Sequence, residues 1–187
     1  VRSNSRRISG GTLRGRTLYP PANKWPTRPT TDMSRTALFN MLQNKLDFES
    51  VRMLDLFGGT GAHSYEFISR GCTDVTYVDK FKPATLFVHQ KAIEFGISTS
   101  LKIIHSDYLM FVKTCHLKFD YIFAGPPYGL VQLDGIPDVV FESNILEEDG
   151  LFVLEHDPSH DFKNHIYLID VRNYGQTHFS FFKQKQT

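Results

Sequence analysis

Two groups of residues in this chain have the types and the spacing to act together. Gly125-Pro126-Pro127-Tyr128 ends the apolar run Phe119-Asp120-Tyr121-Ile122-Phe123-Ala124. It lies 64 residues beyond Gly61, the last glycine of Asp55-Leu56-Phe57-Gly58-Gly59-Thr60-Gly61. The earlier group reads as a ligand-binding turn after a strand. Glycines without a β-carbon let the backbone turn tightly and approach a ligand, with helix-start amides left free to donate. The later group suits chemistry on the exocyclic amine of a flat ring. Such an amine is a poor nucleophile, because its lone pair is delocalised into the ring. It needs in-line placement, acceptors for its N–H groups and an aromatic face to stack on. Pro126 and Pro127 stiffen a corner whose backbone carbonyls can accept, and Tyr128 supplies the face. A base held this way must first leave its stack, so a flipped or single-stranded substrate follows. Pro-Pro also occurs in ordinary turns, but its place after a glycine loop of this kind favours the chemical reading.

The glycine loop alone would serve a nicotinamide cofactor equally well. Two details favour S-adenosylmethionine. The third glycine of the dinucleotide fingerprint is replaced by Ser64, which implies looser helix–strand packing than a pyrophosphate site wants. Asp55, four residues before Gly59, can face a cation such as a methionine ammonium. Asp79 ends the next strand, 18 residues after Gly61, where an acceptor for a ribose diol is expected. Asp107 follows the third strand and can meet an adenine amino group. The expected cofactor set is therefore Asp55, Phe57, Gly59, Gly61, Asp79 and Asp107. Each carboxylate has a plainer use, in capping a turn or being solvated at a strand end.

These groups need a frame of strands and helices to position them. From residue 51 the pattern alternates, with strands expected at 51–57, 75–78, 101–105, 119–124 and 151–155. Helices fit 61–70, 83–95, 107–115 and 136–147, with Pro83 in a first turn and Gly71 and Gly96 just past helix ends. Short β-branched and aromatic runs separated by helices imply a parallel sheet with right-handed crossovers. Ile166–Val171 and His178–Phe182, joined by residues 172–176, leave no room for a helix and should form an antiparallel hairpin. Before the sheet, residues 8–13 read as strand, turn, strand, and Tyr19–Pro26 is a Pro-rich connector. A helix over about 32–45 would dock through Met33, Ala37, Leu38, Met41 and Leu42.

Composition narrows the partners. A chain of 187 residues with 41% hydrophobic content suits one α/β domain with a small appendage. No apolar run approaches the ~20 residues that span a bilayer. Cys72 and Cys115 match no metal or redox spacing and read as reduced thiols, so a cytoplasmic location is expected. The chain begins at Val1 rather than Met, so further residues are expected upstream. Residues 1–35 carry eight basic residues against Asp32 alone, leaving thirteen basic and nineteen acidic residues for the rest. A basic arm on an acidic body suggests a polyanionic partner, with a solvated tail as the plainer alternative.

On these residues the chain resembles the small-subunit ribosomal RNA guanine-N2 methyltransferase (RsmD) family, over nearly its whole length. Arg7-Ile8-Ser9-Gly10-Gly11 with Arg14-Gly15-Arg16 resembles the family's basic hairpin, and Arg28-Pro29-Thr30-Thr31-Asp32 with Arg35 its second signature. Leu54-Asp55-Leu56-Phe57, Gly59-Thr60-Gly61, Glu66, Ser69-Arg70-Gly71, Glu155-His156 and Tyr174-Gly175 are similar too. The resemblance implies a Rossmann-like class I methyltransferase fold, mostly parallel and seven-stranded, with a C-terminal antiparallel hairpin and an N-terminal β-hairpin extension. It implies residues 1–26 as arm and linker and 27–187 as the S-adenosylmethionine-dependent domain. It implies a monomer acting on ribosomal RNA in the small subunit or its assembly intermediate, with Gly125, Pro126, Pro127 and Tyr128 catalytic. RNA contacts are expected from Arg7, Arg14, Arg16 and Arg28.

The chain departs from the family at Gly125, where an acidic or amide residue precedes Pro-Pro, at Thr36 for a Glu, and at His63, Ser64 and Tyr65 for small residues. Loss of one transition-state partner costs on the order of 10²–10³ in rate, so an Asp or Asn restored at 125 is expected to raise activity. A catalytically weakened RNA- or ribosome-binding protein, and a DNA or protein amino-methyltransferase, remain as other readings.

Overall fold

In the computed structural model, which describes residues 5–21, 25 and 30–184, the alternating pattern becomes one twisted sheet with helices on both faces. A short antiparallel pair, β1 (Arg6–Arg7) and β2 (Thr17–Leu18), precedes α1 (Asp32–Leu42). Then follow β3 (Arg52–Leu56), α2 (Ala62–Ser69), β4 (Asp74–Asp79), α3 (Lys82–Glu94) and β5 (Leu101–His105). The second half runs α4 (Tyr108–Thr114), β6 (Phe119–Ala124), α5 (Ile136–Glu142), β7 (Leu146–His156), β8 (Leu168–Tyr174) and β9 (Thr177–Phe182). Strand order is β5-β4-β3-β6-β7-β9-β8, parallel from β5 to β7, with β9 antiparallel to both of its neighbours. This is the seven-stranded Rossmann-like arrangement expected from the sequence. No helix among the described residues is long and apolar enough to cross a membrane.

Each face of the sheet has its own apolar layer. On one face α1, α2 and α3 bury Leu38, Phe39, Phe67 and Val88 against Met53, Tyr77 and Tyr121. On the other, α4 and α5 bury Tyr108, Val112, Ile136 and Val140 against Leu54, Ile122 and Phe152. The N-terminal hairpin joins the first layer through Ile8, Leu13 and Leu18, all buried. Its loop is held on the end of α2, where Thr12 N donates to the Ser69 carbonyl at 2.7 Å and Leu13 N to Ser69 Oγ at 2.8 Å.

Several boundaries differ from the sequence reading. Helix α5 stops at Glu142 rather than 147, because Asn144 takes a left-handed φ of 58° and turns the chain into β7. Strand β7 starts five residues early, at Leu146, with a register shift that lets the acidic stretch after it stand out in solvent. The last hairpin turns on Gly175 and Gln176 alone, since Arg172–Tyr174 belong to β8. Helix α1 docks through Ser34, Arg35, Leu38, Phe39 and Leu42, and Met33 is exposed. That rotation has a cause: Arg35 is drawn inward to a buried carboxylate.

The carboxylate belongs to Glu66 on α2, which is fully buried. It accepts from Ser9 N, pairs with Arg70 Nε at 3.2 Å and lies 3.8 Å from Arg35 Nε. Arg35 also donates to the Arg7 carbonyl at 2.6 Å and to Asp32 Oδ1 at 2.8 Å. Hairpin, α1 and α2 thus meet on one charge. Removing one member of such a buried group costs on the order of 3–5 kcal/mol, because its partner stays behind unpaired.

Candidate active site

Strand β3 is followed by β4 and β5 on one side, and the chain then returns to place β6 on the other. The order reverses between β3 and β6, and an open α/β sheet holds its ligand beyond the strand ends at that point. A recess lies there, lined by the loop Phe57–Thr60 after β3, by Phe123 and Gly125 from β6, and by Glu155 from β7. Asp55, His63, Thr30, Arg6 and Arg35 complete it.

The glycine loop is built from the strand next door. Gly58 N donates to the Val78 carbonyl at 3.0 Å, and the Tyr77 hydroxyl donates to the Gly59 carbonyl at 2.6 Å. A β-carbon at Gly58 would lie 2.2 Å from the Tyr77 ring, so only glycine permits this closeness. Phe57 holds a left-handed φ of 59°, a strain on the order of 1–3 kcal/mol, with its ring 4.7 Å from that of Tyr108. Asp79 accepts from Gly59 N and from Phe81 N, both at 2.8 Å. Burial raises its carboxyl above the usual range against the pull of those two amides. The expected ribose acceptor is therefore also the clasp of the loop, and it does not line the recess. Asp107 stands at the surface as the N-cap of α4, accepting from Leu109 N at 2.9 Å.

Asp55 does face the recess. It is 1% exposed and accepts from Ser64 Oγ at 2.7 Å. Burial pushes its carboxyl up to about 7, with the Ser64 hydroxyl opposing and Asp79 adding to the rise. Ser64 is itself fully buried, so it tightens the helix–strand junction where the sequence suggested loosening.

Beyond β6, Gly125 N donates to the Leu56 carbonyl at 3.3 Å, which ties the Pro-Pro corner to the end of β3. The corner's outer side is fixed by His160, whose Nε2 lies 3.2 Å from the Tyr128 carbonyl and whose Nδ1 lies 2.7 Å from Asp134 Oδ1. Burial alone would lower the His160 pKa. Asp134 and the Tyr128 carbonyl outweigh it and raise the net value. Beneath the corner, the Phe123 ring stacks on His63 at 3.7 Å and 5°. His63 Nε2 is 3.0 Å from the Tyr121 hydroxyl, and burial followed by Arg35 holds the imidazole well below its ordinary pKa, hence neutral.

A side chain at 125 would be a tight fit. Its β-carbon would lie 3.1 Å from Phe123 Cε1, and Phe123 backs onto His63. An Asp or Asn restored there requires the ring to give by a few tenths of an ångström, so the gain in rate expected from the sequence depends on that shift.

Of the expected RNA contacts, Arg7 and Arg14 are exposed and share a second groove with Ser9, Asp32 and Thr36. Arg16 is exposed but lies apart, its guanidinium 5.6 Å from the centre of the Phe95 ring. Arg28 lies outside the described residues. The sequence reading named Arg35 and Glu155 among the family-like residues but gave neither a place in the site; they are 3% and 2% exposed and both face the recess. Arg35 carries a readable signal, since it lies in register with Leu38, Phe39 and Leu42. Its Nε and NH1 are buried without a hydrogen-bond partner among the described residues.

A glycine loop and a Pro-Pro corner flanking the switch point of this seven-stranded sheet define a protein of the Rossmann-like methyltransferase fold. The family model described as conserved hypothetical protein 95 matches residues 6–183, and the chain belongs to this RsmD-like family. The chain is 32% identical over 154 residues to a Bacillus subtilis protein named "Putative rRNA methyltransferase YlbH", a match spanning 81% of this chain and 82% of that one. It is 28% identical over 138 residues to the ribosomal RNA small subunit methyltransferase D of Buchnera aphidicola, covering 74% and 69% of the two chains. Among solved structures, a hypothetical protein of Thermus thermophilus, TTHA0928, superposes with a TM-score of 0.83 at 27% identity, over 95% of this chain and 99% of that one. The T. thermophilus 16S rRNA N2 G1207 methyltransferase (RsmC), solved with AdoMet and guanosine, superposes at 0.73 and 19% identity, over 97% of this chain and 50% of that one. At that identity the likeness concerns the fold alone.

Asp79→Ala leaves one buried and one partly buried amide without their acceptor. It is expected to lower the unfolding free energy by about 1–3 kcal/mol in a urea titration. An unchanged midpoint would show that the loop holds without its clasp.

Proposed function

We propose that this chain transfers the methyl group of S-adenosylmethionine to the exocyclic N2 amine of a guanine in small-subunit ribosomal RNA. The observation that carries the reading is the recess where the glycine loop, the buried Asp55 and Arg35, and Gly125 at the start of the Pro-Pro corner meet; Pro126, Pro127 and Tyr128 follow Gly125 but do not line it. Membership of the family, and the methyltransferase names of its relatives, support it.

The two charges suit the amino-acid head of that cofactor. Asp55 offers a carboxylate to an ammonium, and Arg35 has buried N–H groups in need of an acceptor, which a carboxylate supplies. Gly59 and Gly61 give the backbone approach, Phe57 an apolar wall, and Asp79 and Asp107 stand at strand ends where the ribose and adenine would lie. When bound, the cofactor supplies an electrophilic methyl on sulfonium. The protein's own part is to hold the amine in line, with the carbonyls of Gly125 and Pro126 accepting its N–H bonds and Tyr128 stacking on the base. Arg7 and Arg14 in the second groove, with Arg16 and Arg28, would neutralise phosphates of the RNA. In this reading residues 1–26 act as the RNA-facing arm of the catalytic domain 27–187. The bare glycine at 125 favours one second reading, a ribosome-binding protein with weak catalysis.

Transfer of labelled methyl from S-adenosylmethionine to ribosomal RNA, free and within small-subunit particles, tests the proposal. Label recovered as N2-methylguanine is the expected result, and no transfer to either substrate would sink it. Replacing Arg7, Arg14 and Arg16 by Ala is expected to weaken RNA binding and to flatten its dependence on salt, because fewer counterions are released. An unaltered salt slope would make the arm a solvated tail.

Cofactor binding should also depend on pH. With no ammonium beside it, the Asp55 carboxyl titrates at about 7. A bound ammonium stabilises the carboxylate and lowers that value, so binding below pH 7 must expel a proton. Affinity is expected to rise as pH approaches 7. It then falls above about 8, where an α-amino group loses its own proton. Calorimetry at pH 6 in two buffers of different ionisation heat measures the release, and none would move the ammonium away from Asp55.

A further inference from the structure

Gly125 removes the side chain that would accept from the substrate amine, yet the corner does not lack a carboxylate. Strands β6 and β7 run parallel, with Phe123 beside Val153 and Ala124 beside Leu154. Continuing that register by one residue brings Glu155 abreast of Gly125. Its Oε2 lies 3.9 Å from where a β-carbon at 125 would stand, so it occupies the space next to the missing side chain. Glu155 is 2% exposed and faces the recess, and its other oxygen accepts from the Thr30 hydroxyl, which fixes the carboxylate's direction. The second carboxylate of the recess, Asp55, is engaged by Ser64 beneath the glycine loop. Arg6 and Arg35 line the same space, so a carboxylate there stands among cations.

We infer that Glu155, delivered from the neighbouring strand, is the catalytic acceptor for the substrate amine in this chain, in place of a side chain at 125. The inference rests on the proposed methyl transfer to guanine N2. In the ground state Glu155 accepts one N–H of that amine. As the nitrogen lone pair forms its bond to the methyl carbon, the carbon–sulfur bond breaks and its electron pair stays on sulfur. The nitrogen becomes cationic, and its proton passes to the Glu155 carboxylate and from there to water. An acceptor that strengthens as this charge builds is what fixed, neutral backbone carbonyls cannot supply.

The test compares the full-length wild type with Glu155→Gln, which keeps the shape and removes the charge, and with Glu155→Asp. Single-turnover methylation of ribosomal RNA should fall by about 10²–10³ in Glu155→Gln and less in Glu155→Asp. A second readout needs no turnover. With S-adenosylhomocysteine bound, wild type should bind guanosine more tightly than inosine, which lacks the amine, and Glu155→Gln should lose that preference. Affinity for S-adenosylhomocysteine and the melting temperature should stay unchanged. Wild-type rate and preference in Glu155→Gln would overturn the inference, as would a variant that melts early or loses S-adenosylhomocysteine, which would make Glu155 structural. If wild type methylates no ribosomal RNA yet prefers guanosine through Glu155, the proposed RNA reaction fails while the contact of Glu155 with the amine stands.

Discussion

The buried carboxylate of Glu66 is the interaction on which the rest of the site depends. A charge with no exposure is tolerated only when its neighbours answer it, and here three separate pieces of chain do so. Ser9 comes from the hairpin, Arg35 from α1 and Arg70 from the end of α2. Helix α2 begins at the glycine loop, so this carboxylate links the cofactor end of the sheet to the arm. It also sets the rotation of α1. Without a partner on α2, Arg35 would have little reason to turn inward, and the recess would lose its buried guanidinium.

Around that anchor, two different devices hold the reactive groups. The glycine loop is gripped from below and from the side by Tyr77 and Asp79, both on β4. The Pro-Pro corner is gripped from β3 through the Leu56 carbonyl and from a distant loop through His160. The first grip uses buried atoms and fixes the backbone firmly. The second runs through a partly buried histidine whose own partner, Asp134, stands in solvent. The corner is thus the less firmly held half of the site.

Much of this was legible in the sequence because it is local. The β-branched runs, the glycines after β3 and the corner after β6 each declare themselves within a few neighbouring residues. What escaped depends on distance along the chain. Glu155 meets Thr30 across 125 positions, and nothing near either residue marks the meeting. Met33 was read as part of a docking face because apolar spacing fits it, but Arg35 on the competing stripe wins through a long-range charge. Ser64 and Asp79 stand at positions the sequence marks as important, but with different neighbours from those expected. Both bond to the protein's own atoms. The end of α5 was misjudged because Asn144 terminates it with a left-handed backbone that apolar periodicity does not register.

The stack of Phe123 on His63 couples neighbouring positions of the site as well as shaping it. Position 125 can accept a larger side chain only after the ring beneath it yields, and that ring is backed by an imidazole held on Tyr121 and packed beside Phe39. The effect of a change at 125 is therefore set by how far the ring of Phe123, and the imidazole behind it, can shift. A library that varies 63, 123 and 125 together reads a coupling that single changes leave hidden, although the three residues lie on a helix, a strand and a loop.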